Sequence, residues 1–157
     1  MSSVQEILRS LGLSLPAPPK PVASYIPSVR SGALVFVSGQ LPLKDGQLLA
    51  TGPVPSAVTL DQARLAARQC VLNALAVLSA ELGGDLERVR RIVRVGVFVC
   101  SDPGFTEQPK VANGASDLLQ ELFGERGRHA RAAVGSIALP LGASVEVELC
   151  AEVAAGE

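Results

Sequence analysis

The stretch His129-Ala-Arg-Ala-Ala-Val, followed by Leu139-Pro-Leu-Gly and then Val145-Glu-Val-Glu-Leu, decides how this chain closes its fold. Two apolar runs flank a Pro/Gly turn, which is the pattern of a β-hairpin. In the second run Glu146 and Glu148 alternate with Val145, Val147 and Leu149, placing both carboxylates on one strand face. Arg131 opens the partner run among small residues that leave its guanidinium uncovered. A guanidinium fork binds two oxygens of a carboxylate or phosphate at once, and a carboxylate nearby orients a water. With the turn spanning Leu139 to Gly142, Glu146 lies opposite Gly135 and Arg131 opposite Cys150. The two charges then share a face but stand about 13 Å apart along the strands. One small substrate cannot touch both within a chain, so Arg131 of one subunit is expected to meet Glu146 of a neighbour.

Upstream, Val89 to Cys100 (VRRIVRVGVFVC) reads as a strand, and a helix falls within Gln108 to Phe123, with Pro109 in its first turn. Thr59 caps a long helix running to about Leu82, and Gln62 completes a capping box. Its buried stripe is Ala63, Ala67, Cys70, Val71, Ala74 and Leu78, and Gly83-Gly84 ends it. Val22 to Val29 and Ala33 to Ser38 are expected strands joined at Ser31-Gly32. Residues 40–57 are rich in Gly and Pro and hold at most a short third strand. The order β-β-(β)-α-β-α-β-β predicts an α+β sandwich with two helices on one face of a mixed sheet. The other face is apolar, and a second subunit is its natural cover. Ser2 to Leu11 is an amphipathic helix with Val4, Ile7, Leu8 and Leu11 on one side, followed by the Pro-rich connector Leu15 to Pro21. Residues 1–21 are thus expected to be an accessory segment and residues 22–157 the domain proper.

The 157 residues suit one domain with a real core. With 48% apolar residues but no Trp, one Tyr and four Phe, Ala, Val and Leu must build the interior. A net charge of −1 offers no electrostatic case for a nucleic-acid partner. Charged residues make up only 18%, which hints at surface buried in an oligomer. Cys70, Cys100 and Cys150 stand far apart and His129 is the sole histidine, so neither a zinc site nor any other metal is expected. An odd cysteine count without a signal peptide points to reduced thiols in a cytoplasm. No run is long enough to span a membrane.

Taken in order, Tyr25…Val37-Ser38-Gly39-Gln40-Leu41-Pro42, Ala130-Arg131, Leu139-Pro140 and Val145-Glu146-Val147-Glu148 resemble the RidA/YjgF family, also called L-PSP endoribonucleases. The resemblance covers about Val22 to Val153. It implies a chorismate-mutase-like α+β domain assembled as a homotrimer, with sites in clefts between subunits. It further implies hydrolysis of reactive 2-imino acids, tautomers of enamines, to 2-keto acids and ammonia, without a cofactor. Arg131 matches the family arginine that grips the substrate carboxylate, and Glu146 the glutamate that positions water. Tyr25, Ser38 and Gly39 match pocket-lining positions. Asn113 is the candidate for the pocket asparagine, with Ser116 nearly as defensible. The cysteine that follows the arginine by two residues in well-studied members is here Ala133, which bears on substrate range.

Each residue also has a plainer reading. Arg131 suits an interface salt bridge as well as a ligand clamp. Glu146 and Glu148 fit a solvated strand face, better so for Glu148. Tyr25 needs only a partner for its hydroxyl, Ser38-Gly39 is an ordinary turn, and Cys100 is buried rather than reactive. His129, beside Arg131, would resist protonation and is read as supporting the site rather than acting in it. Three functions compete: imine deamination, RNA cleavage, and a non-catalytic module that binds small carboxylates. A single His and a near-neutral charge weaken the second. The third would keep Arg131 but tolerate loss of Glu146.

Overall fold

Ser3 Oγ accepts the Glu6 N–H, and the Glu6 carboxylate accepts the Ser3 N–H. This reciprocal cap starts helix α1 (Val4–Ser10). The computed structural model describes residues 2–19 and 24–155. Helix α1 docks through Val4 and Leu8, both buried, and the Val4 N–H donates to Glu87 Oε1 at 2.6 Å. Strands β1 (Ser28–Ser31) and β2 (Leu34–Gln40) are antiparallel around Gly32, whose φ of 59° suits a tight turn. The first strand was expected over Val22 to Val29. Residues 22–23 lie outside the described residues, and pairing begins only at Ser28, beyond Pro27.

Residues 40–57 hold two short strands rather than at most one: β3 (Leu43–Lys44) pairs β4 (Gln47–Leu48). Asp45 and Gly46 join them with φ of 52° and 77°, the primed turn for which Asp-Gly is suited. Asn73 fixes this loop from below, donating through Nδ2 to Leu41 O at 2.8 Å and Leu43 O at 3.0 Å. Asn73 belongs to α2 (Leu60–Glu81), which opens with the Thr59/Gln62 capping box as expected. Strand β5 (Val89–Cys100) and helix α3 (Gln108–Phe123) also match their sequence signals.

The close of the chain corrects the hairpin. Strand β6 (Ala130–Ser136) pairs β5 in parallel, and β7 (Val145–Val153) pairs β5 and β2 antiparallel. The sheet order is β1-β2-β7-β5-β6, so β5 lies between the two expected hairpin partners. The long apolar β5 explains this. It satisfies hydrogen bonds on both edges, and helix α3 carries the chain back over it to a parallel neighbour. Glu146 therefore opposes Phe98 rather than Gly135, and Arg131 opposes Val95 rather than Cys150.

Both long helices cover one sheet face, as expected. Val95, Val97 and Val99 of β5 and Val145, Val147 and Leu149 of β7 are buried beneath them, with Val35 and Val37 of β2. The other face is less apolar than expected. It mixes Phe36, Phe98, Cys150 and Val134 with Arg94, Glu146 and Glu148. Among the described residues, no helix is long and apolar enough to cross a membrane.

Helices α2 and α3 meet backbone to backbone: a Cβ on Gly114 would overlap the carbonyl of Arg64. Alanine gains about 1 kcal/mol in helix propensity over glycine, but the clash is with main chain that cannot turn aside. Gly114→Ala is expected to destabilise the protein by roughly 1–3 kcal/mol, read as a lower midpoint in urea unfolding with an unchanged slope.

Candidate functional site

Arg131 sits on edge strand β6, on the face turned toward the helices. Its Nη1 donates to Asn113 Oδ1 at 2.9 Å and to Ser116 Oγ at 3.1 Å. One turn of α3 presents Asn113 and Ser116, the two candidates for one pocket position, to the same nitrogen. Ser116 is in turn 2.9 Å from His129 Nε2, and His129 Nδ1 is 2.6 Å from Gly127 O. A carbonyl only accepts, so the proton belongs on Nδ1, and Nε2 accepts from the Ser116 hydroxyl. The order is Gly127 O, His129, Ser116, Arg131, with each donor matched to an acceptor. Among the described residues these bonds occupy Nη1 alone. The Nη2/Nε edge of the guanidinium, the edge that forks onto a carboxylate, makes no hydrogen bond among the described residues. Ala133, partly buried against the core, follows on the same face.

The other expected residues gather around β2. Its pairing with β7 slips between Val37 and Gln40, so Ser38 and Gly39 form a bulge. Ser38 Oγ donates to Ile26 O at 2.9 Å, and its N–H donates to Pro27 O at 2.9 Å. These bonds hold the loop that carries Tyr25, whose side chain is 59% exposed. Glu146 lies across Gly39, where any Cβ would overlap its carboxylate. Burial, and after it the nearby Glu148 carboxylate, holds the Glu146 pKa above its ordinary value. Glu148 crosses Gly96 in the same way.

The two groups do not meet within the chain. Arg131 and Glu146 occupy opposite faces of the sheet, not one face as expected. With β5 between them and three residues of offset, they stand about 14 Å apart along the backbone. The side chain that sequence reasoning undervalued is Ser116, which joins His129 to Arg131. Spacing carries a signal for it: Asn113 and Ser116 share a helix face at i and i+3, and His129 and Arg131 share a strand face at i and i+2. Cys100 is buried, as expected, and burial raises its thiol pKa.

Burial is the first cause that lowers the His129 pKa, and the nearby Arg131 charge adds to it. The folded protein therefore binds this proton less readily than the unfolded chain. Stability is fully present above the unfolded value near 6.5 and falls as pH drops toward the lower folded value. Thermal unfolding between about pH 5.5 and 7 is expected to show this slope, and His129→Asn to flatten it.

The family described as "YjgF/chorismate mutase-like, putative endoribonuclease" matches residues 5–153. Protein TCP17 of Trypanosoma cruzi is 49% identical over 146 residues, covering 92% of this chain and 91% of its own. The 2-iminobutanoate/2-iminopropanoate deaminase of Dermatophagoides farinae is 30% identical, covering 87% and 91%. The crystal structure of Atu1372 from Agrobacterium tumefaciens, a protein of unknown function, superposes with a TM-score of 0.91 at 44% identity, covering 96% of this chain and 92% of that one. Sequence and overall structure thus agree, and the chain belongs to the YjgF/chorismate mutase-like family.

Proposed function

We propose that this protein hydrolyses 2-imino acids to 2-keto acids and ammonia in clefts between the subunits of a homotrimer. The observation that carries this reading is the Arg131 guanidinium, held at Nη1 by Asn113 and Ser116 with its Nη2/Nε edge free among the described residues. Such a fork fits the carboxylate of a small acid and contributes roughly 1.5–3 kcal/mol through charge-assisted hydrogen bonds. Glu146 supplies the second function. Its raised pKa brings it closer to the range of an effective general base.

The chemistry needs no further group. Glu146 takes a proton from water as the oxygen attacks the C=N carbon, giving a tetrahedral carbinolamine. That proton passes to the nitrogen; Glu146 then relays the carbinolamine hydroxyl proton to the same nitrogen, the C–N bond breaks as the C=O bond forms, and ammonia leaves behind the keto acid. Because Arg131 and Glu146 lie on opposite faces, a complete site takes Arg131, Asn113, Ser116 and Ala133 from one subunit. Tyr25, Ser38, Gly39 and Glu146 come from its neighbour. The open sheet face, with Phe36 47% exposed, is the surface that neighbour would cover. A cytoplasmic setting suits the three free thiols. RNA cleavage fits less well, since both ring nitrogens of the only histidine are engaged.

The test generates imines in situ with an amino-acid oxidase and traps them with semicarbazide. Wild type is expected to lower trapped product. Arg131→Ala is expected to cut kcat/KM by about 10- to 100-fold with the oligomer intact. No effect from wild type across several amino acids would leave the protein a binding module.

Mixing separately inactive Arg131→Ala and Glu146→Gln subunits tests the shared site. Random trimers would restore roughly a quarter of the sites. No recovery after subunit exchange would refute a site built across subunits.

A further inference from the structure

We infer that residues 16–19 of the connector and the loop at Leu141 form a side-chain subsite that selects 2-imino acids with long aliphatic or aromatic side chains. This rests on the deaminase reading above and adds to it what the substrate carries beyond its carboxylate. A cavity of about 640 Å³ lies at the end of β2, walled by Pro16, Ala17, Tyr25, Gly39, Leu43 and Leu141. Its size falls within the roughly 300–1,000 Å³ of small-molecule pockets. It is continuous with the proposed chemistry, because the Gly39 in its wall is the residue across which the Glu146 carboxylate lies.

Leu141 supplies a separate argument. It has φ of 57° and is 77% exposed. A leucine in the left-handed region is strained, and burial within the chain does not repay this one. Asparagine would suit that backbone better and would sit more comfortably in water. An apolar group here has a purpose if something apolar comes to lie against it, and Tyr25 stands exposed on the same cavity.

Ala17 and the prolines beside it bring the wall in from a different part of the chain. Helix α1 anchors that segment through buried Val4 and Leu8. The imine of alanine offers only a methyl group and would leave most of the cavity to water. Each methylene moved from water into such a space strengthens binding about fourfold. The isobutyl group of a leucine-derived imine therefore gains on the order of tenfold or more over that methyl.

The full chain is assayed with imines generated from leucine and from alanine, and the ratio of kcat/KM is the readout. Pyruvate and 4-methyl-2-oxopentanoate are titrated in parallel by calorimetry, which needs no turnover. Ala17→Phe narrows the cavity from an exposed position. Leu141→Asn makes its wall polar while relieving the backbone, so it is expected to fold. Wild type should favour the leucine-derived imine tenfold or more, and both variants should lose most of that preference. A wild-type ratio near one, or variants within twofold of wild type, would overturn the subsite while leaving the deaminase reading standing. If no imine turns over, the deaminase reading falls and the titrations decide the subsite alone. Tighter binding of the longer keto acid, lost in both variants, upholds the subsite, and equal binding of both acids overturns it.

Discussion

Strand β5 is hydrogen-bonded along both edges, to β7 on one side and β6 on the other. Everything that concerns the site depends on that double pairing. It buries a strand whose alternate residues Val95, Val97 and Val99 anchor the helices, while Gly96 and Phe98 face the other way. It also transmits facing across the sheet: Arg131 inherits the helix side from Val95, and Glu146 the open side from Phe98. Had β6 and β7 been direct neighbours, one register would have placed both charges over the same surface. With β5 between them, a single chain presents Arg131 and Glu146 on opposite faces of the sheet.

The local elements were legible because each carried redundant signals. Thr59 and Gln62 fixed the start of α2, Pro109 the start of α3, and twelve mostly apolar residues defined β5. Pairing was not legible in the same way. The turn chemistry at Leu139 to Gly142 is real, but it reverses the chain across the end of β5 instead of folding one strand onto the next. Nothing local distinguishes those outcomes. What decides is the competition for the edges of β5, a tertiary contest that strand-by-strand reading does not weigh. Asp45-Gly46 is the opposite case, a strong local signal diluted by the glycines and prolines around it.

The site residues divide along the same line. Residue types and their order in sequence pointed to Arg131 and Glu146, and the family resemblance left Asn113 and Ser116 as alternatives for one position. The chain of contacts from Gly127 through His129 and Ser116 to Arg131 needed the fold, because α3 and β6 meet only after packing. Its physical logic is one of donors and acceptors. A neutral imidazole fixes the direction of a hydroxyl, and the hydroxyl fixes one end of a guanidinium, so the charged group is held in one orientation by the fold itself.

Helix α1 is only seven residues long, yet its capped start, its two buried side chains and its bond to Glu87 hold it against the body of the domain. Glu87 also pairs with Arg126, which donates to Val89 O at the start of β5. Residues 13–19 that follow are placed at the cavity by the docking of α1 together with their own contacts, Leu13 and Leu15 packing against the core. Prolines stiffen and extend such a segment and reduce what it loses on ordering. Shape at the cavity is thereby tuned from a distance: a change in how Val4 or Leu8 packs alters the wall without touching any residue that lines it.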